Sequence, residues 1–121
     1  MANLYHTNQN VISRSGTYCG VVQVAQYLYT YGTLPRNYID KGTAQSLGWV
    51  SGSIEPYAPG KCIGGDRYRN LSGALPPDIW YECDIDTLGA SARGQKRIVY
   101  NSACTCIYYT EDHYRSFVRL R

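Results

Sequence analysis

The chain has 121 residues and a net charge of +3, which is enough for one domain with a single hydrophobic core. Its hydrophobic fraction of 44% and charged fraction of 17% exclude a disordered chain. No apolar run reaches the roughly 20 residues of a membrane span, so we expect a soluble protein without membrane association. The mild basic balance suits an anionic partner in a small cleft better than a protein that coats a nucleic-acid duplex.

The first 19 residues are polar and lack a periodic pattern, so we interpret residues 1–19 as a lead-in to one domain over residues 20–121. His6 lies in this lead-in, where an exposed loop position is expected. The start MANLYHTNQN has no basic segment followed by an apolar stretch, and a signal peptide is therefore not indicated.

Two helices are predicted near the start of the domain. Apolar residues recur at three- and four-residue steps up to Tyr31, and Gly32 follows as a stop signal. A second helix fits Asp40 as its N-cap, which places Lys41 in its first turn. A cation is unfavourable near the positive end of a helix, so a purely structural reason for Lys41 is weak.

Strands are predicted after Gly60. The segment IWYECDI alternates, with Tyr81 and Cys83 on one face and Glu82 on the other. Other short segments rich in β-branched and aromatic residues are KCIGGD, KRIVYN, CIYYT and RSFVRL. Their short connections favour an antiparallel meander. This order predicts an α+β fold, with N-terminal helices packed on one face of a twisted antiparallel β-sheet and the Glu82 face free for a site.

The five cysteines form no CxxC pair and only two histidines accompany them, so a zinc site is not expected. One or two disulfides are expected if the chain is exported, but their pairing cannot be read from the sequence. An odd number of cysteines leaves at least one thiol. A Cys–His nucleophile stays open as an alternative, although no cysteine lies in a known local signature for it.

One carboxylate, one imidazole and two guanidinium groups lie in the last third of the chain: Glu82, His113, Arg93 and Arg97. A proton acceptor, a proton donor and fixed cations are the groups needed to cleave a phosphodiester without a metal. Each residue alone has a simpler explanation, such as a solvated strand position for Glu82, a loop histidine for His113 and a surface charge for Lys41. The combination, and not any single residue, indicates catalysis.

Six motifs follow one another in order through the domain: LPRNYIDKGTAQSLGWV, APGKCIGGDRYRN, SGALP, IWYECDI, RGQKRIVY and TEDHYRSFVRLR. With these motifs the chain resembles the barnase and binase family of small, guanyl-specific bacterial ribonucleases over roughly residues 20–121. The spacing in RGQKRI is also similar to that of the streptomycete guanyl ribonucleases. The lead-in and the cysteines have no obvious place in the family pattern.

The resemblance implies an endoribonuclease that cuts single-stranded RNA with no metal or other cofactor. Glu82 falls where the family has its general base, and His113 where it has its general acid. Lys41 matches a lysine near the phosphate, and Arg93 and Arg97 match arginines that hold it. The ribose 2′-OH would attack phosphorus, and the resulting 2′,3′-cyclic phosphate would then be hydrolysed. DNA lacks this hydroxyl and would not be cut.

Three further residues are expected to belong to the site. Tyr114 matches an aromatic residue that lines the substrate cleft, and Tyr68 is expected to stack on the base. Asp66, in the GGD motif, is expected to orient the cationic residues. The same GGD motif lacks the lysine and hydroxyl residue of a P-loop, which makes a nucleotide-phosphate loop a poor alternative.

The base-binding loop departs from the family. Its usual sequence is roughly Ser-Asn-Arg-Glu, and the glutamate accepts hydrogen bonds from the N1 and N2 edge of guanine. Here the loop is Arg69-Asn70-Leu71-Ser72, which lacks that carboxylate. Backbone amides around Asn70 and Leu71 would still donate to guanine O6. We therefore expect a guanine preference that is weakened or shifted.

The resemblance also implies a small acidic inhibitor of the barstar type as a protein partner. We expect a monomer that is either secreted or delivered into rival cells as a toxin domain. The alternative is a non-catalytic module of the same fold that binds single-stranded RNA without cutting it. The joint presence of Glu82, His113 and three cationic side chains argues against this alternative.

Overall fold

The computed structural model describes residues 11–121, so His6 and the first half of the predicted lead-in lie outside the described residues. The elements follow in the order α1 (Val21–Tyr31), β1 (Tyr38–Ile39), α2 (Lys41–Ser46), β2 (Cys62–Tyr68), β3 (Trp80–Asp84), β4 (Arg97–Asn101), β5 (Ile107–Thr110) and β6 (Val118–Arg119). Neither described helix is long and apolar enough to cross a membrane.

Both predicted helices are present. Gly32 ends α1 in the left-handed region at φ 72°, where its N–H donates a hydrogen bond to the carbonyl of Leu28. Asp40 is the N-cap of α2, and its side chain accepts a hydrogen bond of 2.8 Å from the backbone N–H of Thr43. The segment before α1 is also held against the helix, because the hydroxyl of Tyr31 donates a hydrogen bond to the carbonyl of Ile12.

The strands form one six-stranded sheet in the order β1-β2-β3-β4-β5-β6. The predicted antiparallel meander is present from β2 to β6. β1 was not predicted, and it pairs with β2 in parallel, which makes the sheet mixed. The predicted RSFVRL strand pairs over Val118–Arg119 only, so the last strand is shorter than expected.

Two clusters of buried side chains lie on opposite faces of the sheet. Val24 and Leu28 of α1 belong to the larger cluster, together with Cys83 and Ile98 of the sheet. The second cluster centres on Trp80 and is flanked by rings that cover part of the other face: Tyr68, Tyr108, Tyr114 and Phe117. The face that carries Glu82 is therefore partly covered by aromatic side chains instead of being wholly free.

Candidate active site

Glu82 lies at the centre of the sheet, in the middle of β3. Its neighbours across the sheet are Asp66 on β2 and Val99 on β4. The side chain is half-buried, and its Oε1 accepts a hydrogen bond from the hydroxyl of Tyr114. Because strand register sets these neighbours, the carboxylate has a fixed position at the edge of the Trp80 cluster.

Tyr114 joins three of the predicted site residues. Its ring stacks on Tyr68 with a centroid separation of 5.0 Å. The ring of His113, an exposed residue, has its centroid 4.7 Å from that of the Tyr114 ring. Burial, followed by the negative charge of Glu82, raises the pKa of Tyr114 well above its ordinary value. The phenol therefore remains protonated and donates to Glu82 at neutral pH.

The loop between β5 and β6 presents His113 and Tyr114 in an uncommon backbone conformation. Their φ angles are 57° and 73°, in the left-handed region that non-glycine residues seldom adopt. The N–H of His113 donates to the carbonyl of Gln95 at 3.0 Å, and that of Tyr114 donates to Thr110 Oγ1 at 3.0 Å. These bonds hold a strained turn in place, as functional loops often require.

Asp112 closes the same loop. Its carboxylate accepts hydrogen bonds from the backbone N–H and the hydroxyl of Ser116, at 2.9 and 2.6 Å, and from the hydroxyl of Thr110 at 2.9 Å. The Ser116 bonds, helped by Thr110, lower the pKa of Asp112 from 3.8 to about 2. The ionised carboxylate is thus part of what fixes the position of His113.

A buried carboxylate, Asp84, holds both predicted phosphate-binding arginines. Arg93 binds it through two nitrogens, with Nε 2.7 Å from Oδ2 and Nη2 2.8 Å from Oδ1. Arg97 places Nε 3.1 Å from Oδ1, but this N–H is not aligned for a hydrogen bond, and Nη1 donates to the carbonyl of Lys96 instead. Attraction between charges is therefore the main link of Arg97 to Asp84.

The environments of the two arginines differ. The Arg97 side chain is only 3% exposed, whereas that of Arg93 is 22% exposed and its guanidinium lies 5.7 Å from the centre of the Trp49 ring. The hydrogen bonds to Asp84 raise the pKa of Arg93, with a smaller contribution from the charge of Glu82. Arg93 is thus the more accessible cation of the pair.

The backbone of Lys41 contacts the side chain of Asp66. The N–H of Lys41 donates to Asp66 Oδ2 at 3.0 Å, and Asp66 is paired with Glu82 across the sheet. This contact fixes the first turn of α2 beside β2. An effect of Asp66 on the cationic side chains stays a prediction.

A cavity of about 400 Å³ opens beside Glu82, and its lining includes the predicted base-binding loop. The side-chain amide of Asn70 bridges the loop by donating to the carbonyl of Leu75 at 2.8 Å and accepting from its N–H at 3.1 Å. Leu71 is 88% exposed. The full lining is Arg67, Tyr68, Arg69, Asn70, Leu71, Ser72, Glu82 and Tyr114.

Asp84 is the site residue that was not singled out from the sequence. A signal existed, because Asp84 lies two residues after Glu82, on the same face of the strand, and two arginines follow within 13 residues. Arg67 of the cavity lining was also overlooked. Within residues 11–121 no group of three His, Cys, Asp or Glu side chains is arranged to hold a metal ion.

Comparison with known proteins shows which family the chain belongs to. A family model described as ribonuclease matches residues 21–121. A ribonuclease of Heyndrickxia coagulans is 46% identical over 103 residues, which cover 81% of this chain and 93% of the relative. Ribonucleases of Bacillus intermedius and Bacillus pumilus are also 46% identical, and the match again covers 81% of this chain but only 62% of their length. The chain belongs to the ribonuclease family.

Proposed function

We propose that this protein is an endoribonuclease that cleaves single-stranded RNA through the ribose 2′-OH and needs no metal ion. The observation that carries the proposal is the position of Glu82, a carboxylate at the wall of a 400 Å³ cavity that is also lined by Tyr68 and Tyr114. The ribonuclease names of the relatives support RNA as the substrate class.

Glu82 acts as the general base in the proposed mechanism. It takes the proton of the 2′-OH, and the oxygen attacks the adjacent phosphorus. His113 protonates the departing 5′ oxygen, and the two residues exchange roles when water opens the 2′,3′-cyclic phosphate. The exposed position of His113 on a hydrogen-bonded turn supports this role, because a general acid must reach the leaving group.

Arg93, Arg97 and Lys41 stabilise the negative charge that builds up on the phosphoryl oxygens. Fixed cations lower the barrier most when they need no rearrangement during the reaction. The two-point attachment of Arg93 to buried Asp84 provides such fixation. Lys41 belongs to the first turn of α2, which is held by Asp66, the cross-strand neighbour of Glu82.

The base 5′ to the cut binds beside the loop of residues 69–72. Tyr68 stacks on it, and the backbone amides near Asn70 and Leu71 donate to O6 of a guanine. Ser72 supplies a short hydroxyl where a carboxylate would accept from N1 and N2. We therefore propose a guanine preference that is weaker than usual for the family, or shifted.

The partners and location follow from the same proposal. The cations around Glu82 suit a small acidic inhibitor of the barstar type that covers the cleft. We further propose that the protein acts as a monomer outside the producing cell, either as a secreted enzyme or as a toxin domain. The alternative function is a module of the same fold that binds RNA without cutting it.

The proposal is tested with an RNA oligonucleotide in the presence of EDTA. We expect cleavage with 2′,3′-cyclic phosphate ends by mass spectrometry, no cleavage of the same oligonucleotide in DNA form, and no cut at a single 2′-O-methyl position. Binding without cleavage would instead support the RNA-binding module. Activity that is lost with a thiol-blocking reagent would support a cysteine nucleophile.

A further inference from the structure

Two cysteines that are far apart in the chain meet in the interior, away from the cavity beside Glu82. The Sγ atoms of Cys19 and Cys62 lie 3.1 Å apart. Cys19 is 8% exposed and Cys62 is fully buried. A disulfide bond is about 2.05 Å long, so the two sulfur atoms need to approach by about 1 Å only.

The backbones that carry the two sulfur atoms are both anchored. The carbonyl of Cys19 accepts a hydrogen bond of 2.9 Å from the N–H of Asp86. The N–H of Cys62 donates to the carbonyl of Asn37 at 2.9 Å, and Cys62 pairs with Tyr38 in the sheet. The short approach of the sulfur atoms is therefore a property of the fold and not of two mobile side chains.

The pair is also chemically asymmetric. Cys62 donates its thiol proton to the sulfur of Cys19, and the N–H of Thr87 points to the same sulfur at 3.3 Å. These hydrogen bonds hold the pKa of the Cys19 thiol well below its usual range, while the pKa of Cys62 is raised. Once folding has brought these groups together, Cys19 therefore supplies the thiolate, which is the form that attacks a disulfide.

We propose that Cys19 and Cys62 form a disulfide bond during folding, by exchange with a low-molecular-weight disulfide. The Cys19 thiolate attacks one sulfur of the external disulfide, which forms a mixed disulfide and releases one thiolate. Cys62 then attacks the Cys19 sulfur, so that the protein disulfide forms and the second thiol leaves. The external disulfide gains two electrons, and the protons of the two cysteines end on its two thiols.

We infer no pairing for the remaining three cysteines, because the sulfur contact of 3.1 Å joins Cys19 and Cys62. Cys104 belongs to the cluster beneath α1, whereas Cys106 packs against the Trp80 cluster on the other face of the sheet, so the two point apart. Cys83 is buried in the cluster beneath α1. The pairing thus uses two of the five cysteines.

The bond fastens the segment before α1 to the first residue of β2, 43 positions along the chain. The bond also lies close to a residue that contacts the candidate active site. The hydroxyl of Tyr38 donates to the carbonyl of Asp84 at 2.6 Å and lies 3.8 Å from the Cys19 sulfur. Closing this loop restricts the unfolded chain and raises the melting temperature.

Peptide mapping tests the pairing directly. The protein is refolded in a mixture of reduced and oxidised glutathione, its thiols are blocked, and it is digested with trypsin without reduction. We expect residues 15–36, which contain Cys19, joined to residues 62–67, which begin with Cys62. The other cysteines fall in residues 70–93, which contain Cys83, and 98–115, which contain Cys104 and Cys106, so no alternative pairing of Cys19 or Cys62 has the expected mass. Five blocked thiols, or a different joined pair, would overturn the proposal.

Thermal melting gives an independent test. Reduction is expected to lower the melting temperature of the wild-type protein by roughly 10–15 °C. The half-buried control Cys106→Ser keeps this sensitivity to reductant, whereas the double variant Cys19→Ser/Cys62→Ser loses it. If the double variant does not fold, the wild-type and Cys106→Ser melts still decide, because equal melting temperatures with and without reductant contradict the bond.

Discussion

Replacement of Asp84 by Asn tests how the arginines are held. The substitution keeps the shape of the side chain and removes its charge. Asp84 and Arg97 have side chains that are both only 3% exposed, and Arg93 makes two hydrogen bonds to the same carboxylate. The Asn variant therefore leaves Arg97 buried without its counter-ion.

The expected loss is large. Breaking a buried ion pair by removing one partner costs about 3–5 kcal/mol in free energy of unfolding. For a domain of this length, that loss lowers the melting temperature by roughly 10–20 °C. The value of kcat/KM for RNA cleavage should fall about 10²-fold, because the guanidinium groups lose their fixed position.

Urea unfolding followed by tryptophan fluorescence measures the loss, and Asp86→Asn is a matched control. Asp86 forms an ion pair of 3.0 Å with Lys96, but both side chains are about half exposed, at 49% and 48%. Its φ of 60° also suits asparagine. We expect little change in the control. Equal stability of the two variants would refute the assignment of Asp84 as the anchor of the arginines.

Two further predictions concern the base and the loop that carries His113. Ser72→Glu should raise the ratio of GpN to ApN cleavage rates about 10–100-fold, because it supplies an acceptor for guanine N1 and N2. Ser72→Gln should leave this ratio unchanged. An equal rise with Gln would contradict the role of the charge. Because the pKa of Asp112 is lowered by folding, from 3.8 to about 2, its stabilising effect is present above pH 4 and lost as the pH falls towards 2. Urea denaturation should therefore show a lower free energy of unfolding for Asp112→Asn than for the wild type at pH 6, and this difference should disappear near pH 2. A difference in free energy of unfolding that does not change with pH would count against this assignment.

Local patterns predicted the parts of the fold that depend on nearby residues. The helical spacing up to Tyr31 and the cap formed by Asp40 are both present, as is the alternation around Glu82 in β3. β1 escaped prediction because two residues carry no periodic signal, and it forms only by pairing with β2. The partial aromatic cover of the Glu82 face was also missed, since Tyr114 and Phe117 reach this face from the loop between β5 and β6.

The candidate site likewise combines residues that local patterns indicate with contacts that depend on long-range pairing. The residue types of Glu82, His113 and the arginines, together with the family resemblance, predicted which side chains take part, and their catalytic roles stay a prediction. Their contacts were not predictable, because Asp84 binds Arg97 across the β3–β4 pair while Arg93 reaches it from the loop between those strands. The close approach of Cys19 and Cys62 was likewise not predictable, because Cys62 is held by Asn37 and Tyr38, which pair with the start of β2.

In the proposed mechanism Glu82 is the base and His113 the acid. The most direct measurement compares two substrates, a dinucleoside phosphate and a nucleoside 3′-p-nitrophenyl phosphate, whose leaving group departs without protonation. We predict that His113→Ala loses about 10²–10⁴-fold on the dinucleotide but far less on the aryl ester, while Glu82→Gln loses activity on both. Equal losses of His113→Ala on the two substrates, or full activity of Glu82→Gln, would contradict the account.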